Sequence, residues 1–268
     1  KRTNKKYTLN FNTKEEAKAA YAEYKKQVSA GGEVPSGGEN VTYTLEPEAA
    51  MTVIDQKTGQ VRAMSGGREK DGNSINRAVD ITRQPGDTFK VLSAYAPAIN
   101  AAGKTLASVE DDAPDRFENG EVVRNSDGHY RGFTTIREAI TDSVNVVAEK
   151  TLSDIGTGLG YQHVKDFGFT TLKEGDNNQS LAIGSLTKGV TNIELAAAYA
   201  AIANQGYYNR PSYYTTVEDS EGKTILDTTD DKGHRVLKKT TAWLLTSAMG
   251  DAIKTGTAKN ASFRGMTI

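Results

Sequence analysis

Pro85-Gly86 is a turn signal, and the residues after it constrain the fold more than any other segment of the chain. Phe89, Val91, Leu92, Tyr95 and Ala96 recur at roughly helical spacing, which predicts a helix starting directly from the turn. Asp87 and Lys90 are three residues apart, so both face one side of that helix's first turn. From these residues alone, Asp87 is a helix N-cap and Lys90 is its partner or a solvated side chain.

Two further elements frame this one. Ala50–Asp55 and Gln60–Ser65 alternate apolar and polar residues around the turn Gln56-Lys57-Thr58-Gly59, which predicts an antiparallel hairpin closed by Gly66-Gly67-Arg68. Arg131 to Ile140 starts a helix, with Thr134 or Thr135 as its cap and Glu138 placed for a capping box. It runs into Asp142-Ser143-Val144-Asn145 and then the apolar run Val146-Val147-Ala148. A Ser-x-Asn sequence at a junction between helical segments can present a hydroxyl and a carboxamide together, giving a proton shuttle and a donor–acceptor for a peptide amide.

Taken together, the order of these elements resembles the transpeptidase domain of penicillin-binding proteins, most closely the class A type from Gram-positive bacteria. The phrases that carry the likeness include Asn76-Arg77-Ala78, Arg83-Gln84-Pro85-Gly86, Thr88-Phe89-Lys90-Val91-Leu92, Gly189-Val190-Thr191-Asn192 and Ala196 through Gly206. It runs from about Ala49 to the end. The resemblance implies an α/β fold with an antiparallel central sheet flanked by helices, of the β-lactamase-like kind. It implies residues 1–40 as a small linker module and 41–268 as the transpeptidase domain.

The family carries Ser-x-x-Lys at the start of a helix, with serine as nucleophile and lysine as proton acceptor. Here Asp87 stands at the serine's place, while Lys90 keeps the lysine's. Ser143 then corresponds to the residue that relays a proton to the leaving amine, and Asn145 to the one that holds the substrate amide. A carboxylate with an ordinary pKa of about 3.9 is an anion at neutral pH and a poor nucleophile towards an amide. Its ion pair would also hold Lys90 as an ammonium, so the expectation is a family member whose acylation is absent or crippled.

Lys254-Thr255-Gly256 spells the family's third motif, which belongs on a strand. Thr240 to Ile253 reads as a helix, however, with Trp243, Leu244, Ser247 and Ala248 on one face and Gly256 as its stop. Lys254 is therefore expected to be a look-alike at a helix end, with the true motif strand starting just after Ile268.

Composition sets the remaining bounds. A chain of 268 residues can bury a sizeable core. A formal net charge of −1 gives no basic footprint for nucleic acid. Cysteine is absent, so neither disulfides nor thiol chemistry enter. No run approaches the roughly 18 apolar residues of a membrane span. The N-terminal part is separable: Thr13 to Val28 is a charged amphipathic helix, and Ser29 to Asn40 is a Gly/Ser-rich linker. His129, His163 and His234 lack metal-ligand spacing, and no metal or cofactor is expected. Glu110, Asp111, Asp112 and Asp115 read as a solvated acidic loop. Tyr207 to Tyr214 reads as a turn leading to a strand, and Val217 to Leu226 as a second hairpin.

The resemblance thus implies a peptidoglycan D,D-transpeptidase, with stem peptides as substrates and β-lactams as ligands of a serine form. Other cell-wall synthesis proteins would be its possible partners. It implies the extracytoplasmic face of a bacterial membrane, with an N-terminal anchor outside this chain. The competing readings are a non-catalytic stem-peptide binding module and a D,D-carboxypeptidase.

Overall fold

A computed structural model describes residues 11, 13–29, 48–68, 75–228 and 233–262. The chain divides into two units, Lys1–Pro47 and Glu48–Ile268. In the first, α1 spans Lys14–Ser29, with Glu15 and Glu16 in its first turn, where carboxylates complement the helix dipole. The expected Gly/Ser linker lies outside the described residues, apart from its first residue, Ser29, which ends α1.

The second unit is a mixed α/β fold, as its sequence implies. Its strands are β1 (Met51–Ile54), β2 (Val61–Ser65), β3 (Thr82–Arg83), β4 (Val109–Asp112), β5 (Asp115–Arg116), β6 (Val122–Val123), β7 (Gly132–Thr135), β8 (Val190–Thr191), β9 (Tyr207–Tyr208), β10 (Thr216–Glu218), β11 (Thr224–Asp227) and β12 (His234–Arg235). The helices are α2 (Ala96–Asn100), α3 (Ile136–Asp142), α4 (Asn145–Ile155), α5 (Thr157–Asp166), α6 (Asn192–Ala203) and α7 (Lys239–Lys254). Among the described residues every sheet is a two-stranded antiparallel pair: β1–β2, β3–β8, β4–β7, β5–β6, β9–β12 and β10–β11. The expected hairpin is β1–β2, with Thr52 opposite Met64 and a register shift between Val53 and Ile54. Its Thr52 hydroxyl donates to Asn192 of α6 at 2.7 Å, and Ile54 packs on the core, while Met51 and Val53 on the other face are exposed.

One continuous core gathers Phe89, Leu92 and Tyr95 with Ile136, Leu152, Phe167, Leu181, Ile202 and Leu245, all fully or almost fully buried. Burying each large side chain contributes about 1.5–3 kcal/mol, so the segment after Pro85-Gly86 anchors the unit. Phe89 also meets Phe169 edge to face, with centroids 5.2 Å apart. The expected regular helix is instead built in three pieces: a 3₁₀ turn over Gly86–Phe89, a π-helical stretch over Val91–Tyr95, then α2. Pro97 has no N–H to give to the carbonyl four residues back, and the Ala96 N–H reaches five residues back to Val91 O.

The structure moves two other expectations. Residues 132–135 form strand β7 paired with β4, and the helix starts only at Ile136, where Thr135 and Glu138 make the expected capping box. On α7 the buried stripe is Thr241, Ala242, Leu245 and Ala248, leaving Trp243 exposed. No helix among the described residues is long and apolar enough to cross a membrane.

Candidate active site

The turn that carries Asp87 is pinned from both sides. β3 pairs with β8, and the Gln84 carboxamide reads the Leu186 backbone twice, donating to its carbonyl at 2.5 Å and accepting its N–H at 2.7 Å. Gly184 has a φ of +67°, and a Cβ there would lie 2.3 Å from Gly86 O, so glycine is required at this approach of backbone to backbone. Within the turn, Thr88 Oγ1 donates to Pro85 O at 2.6 Å, and Thr88 O accepts the Tyr199 hydroxyl at 2.6 Å. Burial pushes the Tyr199 phenol up, which keeps it a donor.

Across from this turn, α3 ends at Ser143 in the left-handed conformation, φ 57° and ψ 46°. Ser143 and Gln205 are the two residues other than glycine with positive φ among those described. Strain of this kind, held by surrounding structure, is a mark of functional positions. Here it aims the hydroxyl at Lys90.

Lys90 is 2% exposed and meets three acceptors: Asp87 Oδ1 at 3.0 Å, Ser143 Oγ at 2.8 Å and Ser143 O at 2.8 Å. An ammonium has three protons, and each has a partner. Ser143 Oγ in turn donates to Asp87 Oδ2 at 2.8 Å, closing a triangle of lysine, serine and aspartate. Burial drives the Lys90 pKa down, opposed by the charge of Asp87 and its hydrogen bond. The Asp87 side chain is about half exposed, so the triangle opens to solvent on that side. Of the reading of these two residues from spacing alone, the Asp87–Lys90 partnership holds, and the cap and the solvated lysine are corrected: Pro85 holds the cap position with no side-chain bond, and the lysine is buried.

Asn145 is the first residue of α4. Its Nδ2 donates to Arg124 O at 2.7 Å, while its Oδ1 is buried with no hydrogen-bond partner among the described residues. The structure thus joins Asp87, Lys90 and Ser143 by direct bonds and sets Asn145 beside them through the junction, turned towards Arg124.

A family model described as the penicillin binding protein transpeptidase domain matches residues 49–268. The chain belongs to the penicillin-binding protein transpeptidase family. Penicillin-binding protein 1F of Bacillus subtilis is 35% identical over 218 residues, covering 81% of this chain and 30% of that protein. Penicillin-binding protein 1A of Neisseria meningitidis is 33% identical over 246 residues, covering 87% and 30%. The chain therefore spans about 30% of the length of these relatives. Among solved structures, the Mycobacterium tuberculosis PonA1 protein in complex with penicillin V is 25% identical, with a TM-score of 0.65, covering 75% of this chain and 55% of that one. A D,D-transpeptidase domain from Eggerthella lenta shares the fold at 20% identity and a TM-score of 0.69, covering 82% and 64%.

Within this transpeptidase domain Lys254 is the exposed last residue of α7, not a strand residue. Gly256 donates to Asp251 O and Ala252 O, and a Cβ on it would lie 2.0 Å from Thr141 O, so that glycine serves a close approach of the helix end to α3. No group of three or more His, Cys, Asp or Glu suited to a metal occurs among the described residues. His163 is buried against Phe167, while His129 and His234 are exposed.

The sequence reading missed the supports. Gln84 and Tyr199 sit inside phrases that carried the family likeness, but nothing in their spacing announces a bond to residues about 100 positions away. Asp112, read as solvated, is fully buried and bonded to Asn125, which the sequence reading passed over altogether.

Proposed function

We propose that this chain is a peptidoglycan D,D-transpeptidase domain in which Asp87 occupies the nucleophile's position, so that this form does not acylate. The observation that carries the reading is the set of three acceptors around Lys90 Nζ, two of them from Ser143 and one from Asp87. In a serine form, the hydroxyl at position 87 would lose its proton to Lys90 and attack the carbonyl of the penultimate D-alanine. Ser143 would pass the proton to the departing D-alanine amine, and an amine of a neighbouring stem peptide would then resolve the ester. Asn145 would hold the substrate amide.

With aspartate at 87 this sequence fails at its first step. A carboxylate has no proton to give up, and its acyl product would be a labile anhydride. The charge of Asp87 also opposes the effect of burial on Lys90, and so works against the neutral amine that a base requires. Serine at 87 would remove that opposition and leave burial to favour the neutral base. The natural ligands on this reading are stem peptides, with β-lactams binding a serine form, on the extracytoplasmic face of a bacterial membrane.

The test is release of D-alanine from a peptide ending in D-Ala-D-Ala, with an amine acceptor present. The Asp87 chain is expected to release none. An Asp87→Ser form is expected to form the exchange product. Turnover by the Asp87 form would remove the claim of inactivity, and an inert serine form would remove the transpeptidase reading.

A further inference from the structure

The helix that carries Asn145 cannot cap itself. Val144 holds its N-cap position, and a valine side chain offers no acceptor to the first N–H groups of α4. The acceptor comes from another segment. Asn125 Oδ1 accepts the Asn145 N–H at 2.9 Å and the Val146 N–H at 3.2 Å. Its Nδ2 donates to Asp112 Oδ1 and to His129 O, both at 2.8 Å. Two lone pairs and two N–H bonds are all that a carboxamide has, and all four are used here, at a residue only 6% exposed. Asp112 is fixed in turn, its Oδ2 accepting the Arg131 N–H at 2.9 Å with the Arg131 guanidinium 3.7 Å away.

The same strand of chain also holds the Asn145 side chain, through Arg124 O. Residues 124 and 125 therefore grip Asn145 by its backbone and its carboxamide together. Between this grip and the end of α3 lie only Val144, extended, and Ser143, in its strained left-handed state. Val146 is fully buried, so without Asn125 its N–H would face neither protein acceptor nor water.

We propose that Asn125, held by Asp112, is a positioning residue for the Ser143–Asn145 junction. It caps α4 from outside, and in doing so it fixes the Asn145 carboxamide and the turn that presents Ser143 Oγ to Lys90. The inference rests on the reading of Ser143 and Asn145 as site residues, and its test separates the two. The first arm needs no catalysis: backbone amide exchange by NMR in this chain. Asn125→Ala is expected to speed exchange at Asn145 and Val146 by about tenfold, the equivalent of losing one cap, with little change at Leu152 in the same helix. The Asn145 side-chain NH2 signals are expected to shift with it.

Asn125→Asp keeps the acceptor but sets a carboxylate against Asp112, so it is expected to fail as well. The exchange Asn125→Asp with Asp112→Asn restores the donor–acceptor pair between the two side chains in the opposite direction but leaves the His129 carbonyl without its donor, so it is expected to bring protection back in part, above that of Asn125→Asp alone. In the Asp87→Ser background, Asn125→Ala is expected to slow penicillin acylation by about tenfold or more, with partial recovery in the double exchange. Unchanged protection at Asn145 and Val146, loss spread evenly through α4, or a double exchange no better protected than Asn125→Asp alone would each overturn the inference. So would a full acylation rate in Asn125→Ala. If the Asp87→Ser parent is itself inert, the functional reading falls and the exchange arm decides the positioning role alone.

Discussion

Replacing Ser143 by glycine should harm the fold less than replacing it by alanine, the reverse of what side-chain size and helix propensity suggest. Ser143 sits at φ 57° and ψ 46°, where an L-residue bears a penalty of about 1–2 kcal/mol and glycine does not. Glycine gives back about 0.5–1 kcal/mol of that through the extra freedom of its unfolded chain. At the middle of both ranges the net advantage of Ser143→Gly over Ser143→Ala is therefore about 0.75 kcal/mol, between outer bounds of about 0 and 1.5. Both variants lose the hydroxyl's bonds to Asp87 and from Lys90. Neither strands the ammonium, because Asp87 Oδ1 and the residue-143 carbonyl remain beside it, so the shared loss is about 1–2 kcal/mol. For a unit of this size the difference between the variants corresponds to about 1–4 °C in Tm. Parallel thermal and urea unfolding of the two variants measures it. An alanine variant as stable as the glycine variant, or more so, would refute the claim that strain is stored at this turn.

Other substitutions separate look-alike from structural need at the end of α7. Lys254→Ala, at an exposed position, should change stability by no more than about 0.5 kcal/mol, whereas Gly256→Ala should cost about 1–3 kcal/mol because its Cβ meets the Thr141 carbonyl; urea midpoints of both decide it. Glu149 is 2% exposed, and burial raises its pKa, with the Ser153 hydroxyl opposing. Its folded pKa lies above its unfolded value, so the folded state holds the proton longer and stability falls as pH rises from the unfolded pKa of about 4.3 through the folded one. Glu149→Gln should thus gain on the parent as pH rises from about 4 to 7 in urea unfolding, and a constant difference would show that the buried carboxylate carries no such penalty.

What the sequence discloses is mostly local. The shared face of Asp87 and Lys90 follows from a spacing of three, the Thr135–Glu138 box from its motif, and the end of α7 from its periodicity and a glycine. The meeting of Lys90 with Ser143, 53 residues apart, does not follow from spacing. It was expected only because the phrases around both residues resemble one family. Tertiary capping is silent for a physical reason: the signal that matters is the absence of an acceptor at Val144, and the residue that supplies one, Asn125, lies 20 positions earlier with no motif to single it out. Asp112 was misread for a related reason, since an acidic run gives no sign of which carboxylate points inward. The π-helical stretch was hidden because the apolar pattern of 89–96 suits either helical period, and only Pro97 hints at the break.

The central claim is that aspartate in the nucleophile's place at residue 87 keeps this site from acylating. Intact-mass and peptide-mapping mass spectrometry after incubation with a fluorescent penicillin tests it most directly, on the Asp87 chain and on its Asp87→Ser form. The account predicts no adduct at Asp87 and a single adduct mapped to the restored serine. Stoichiometric labelling of Asp87 itself, or a serine form that stays unlabelled, would contradict it.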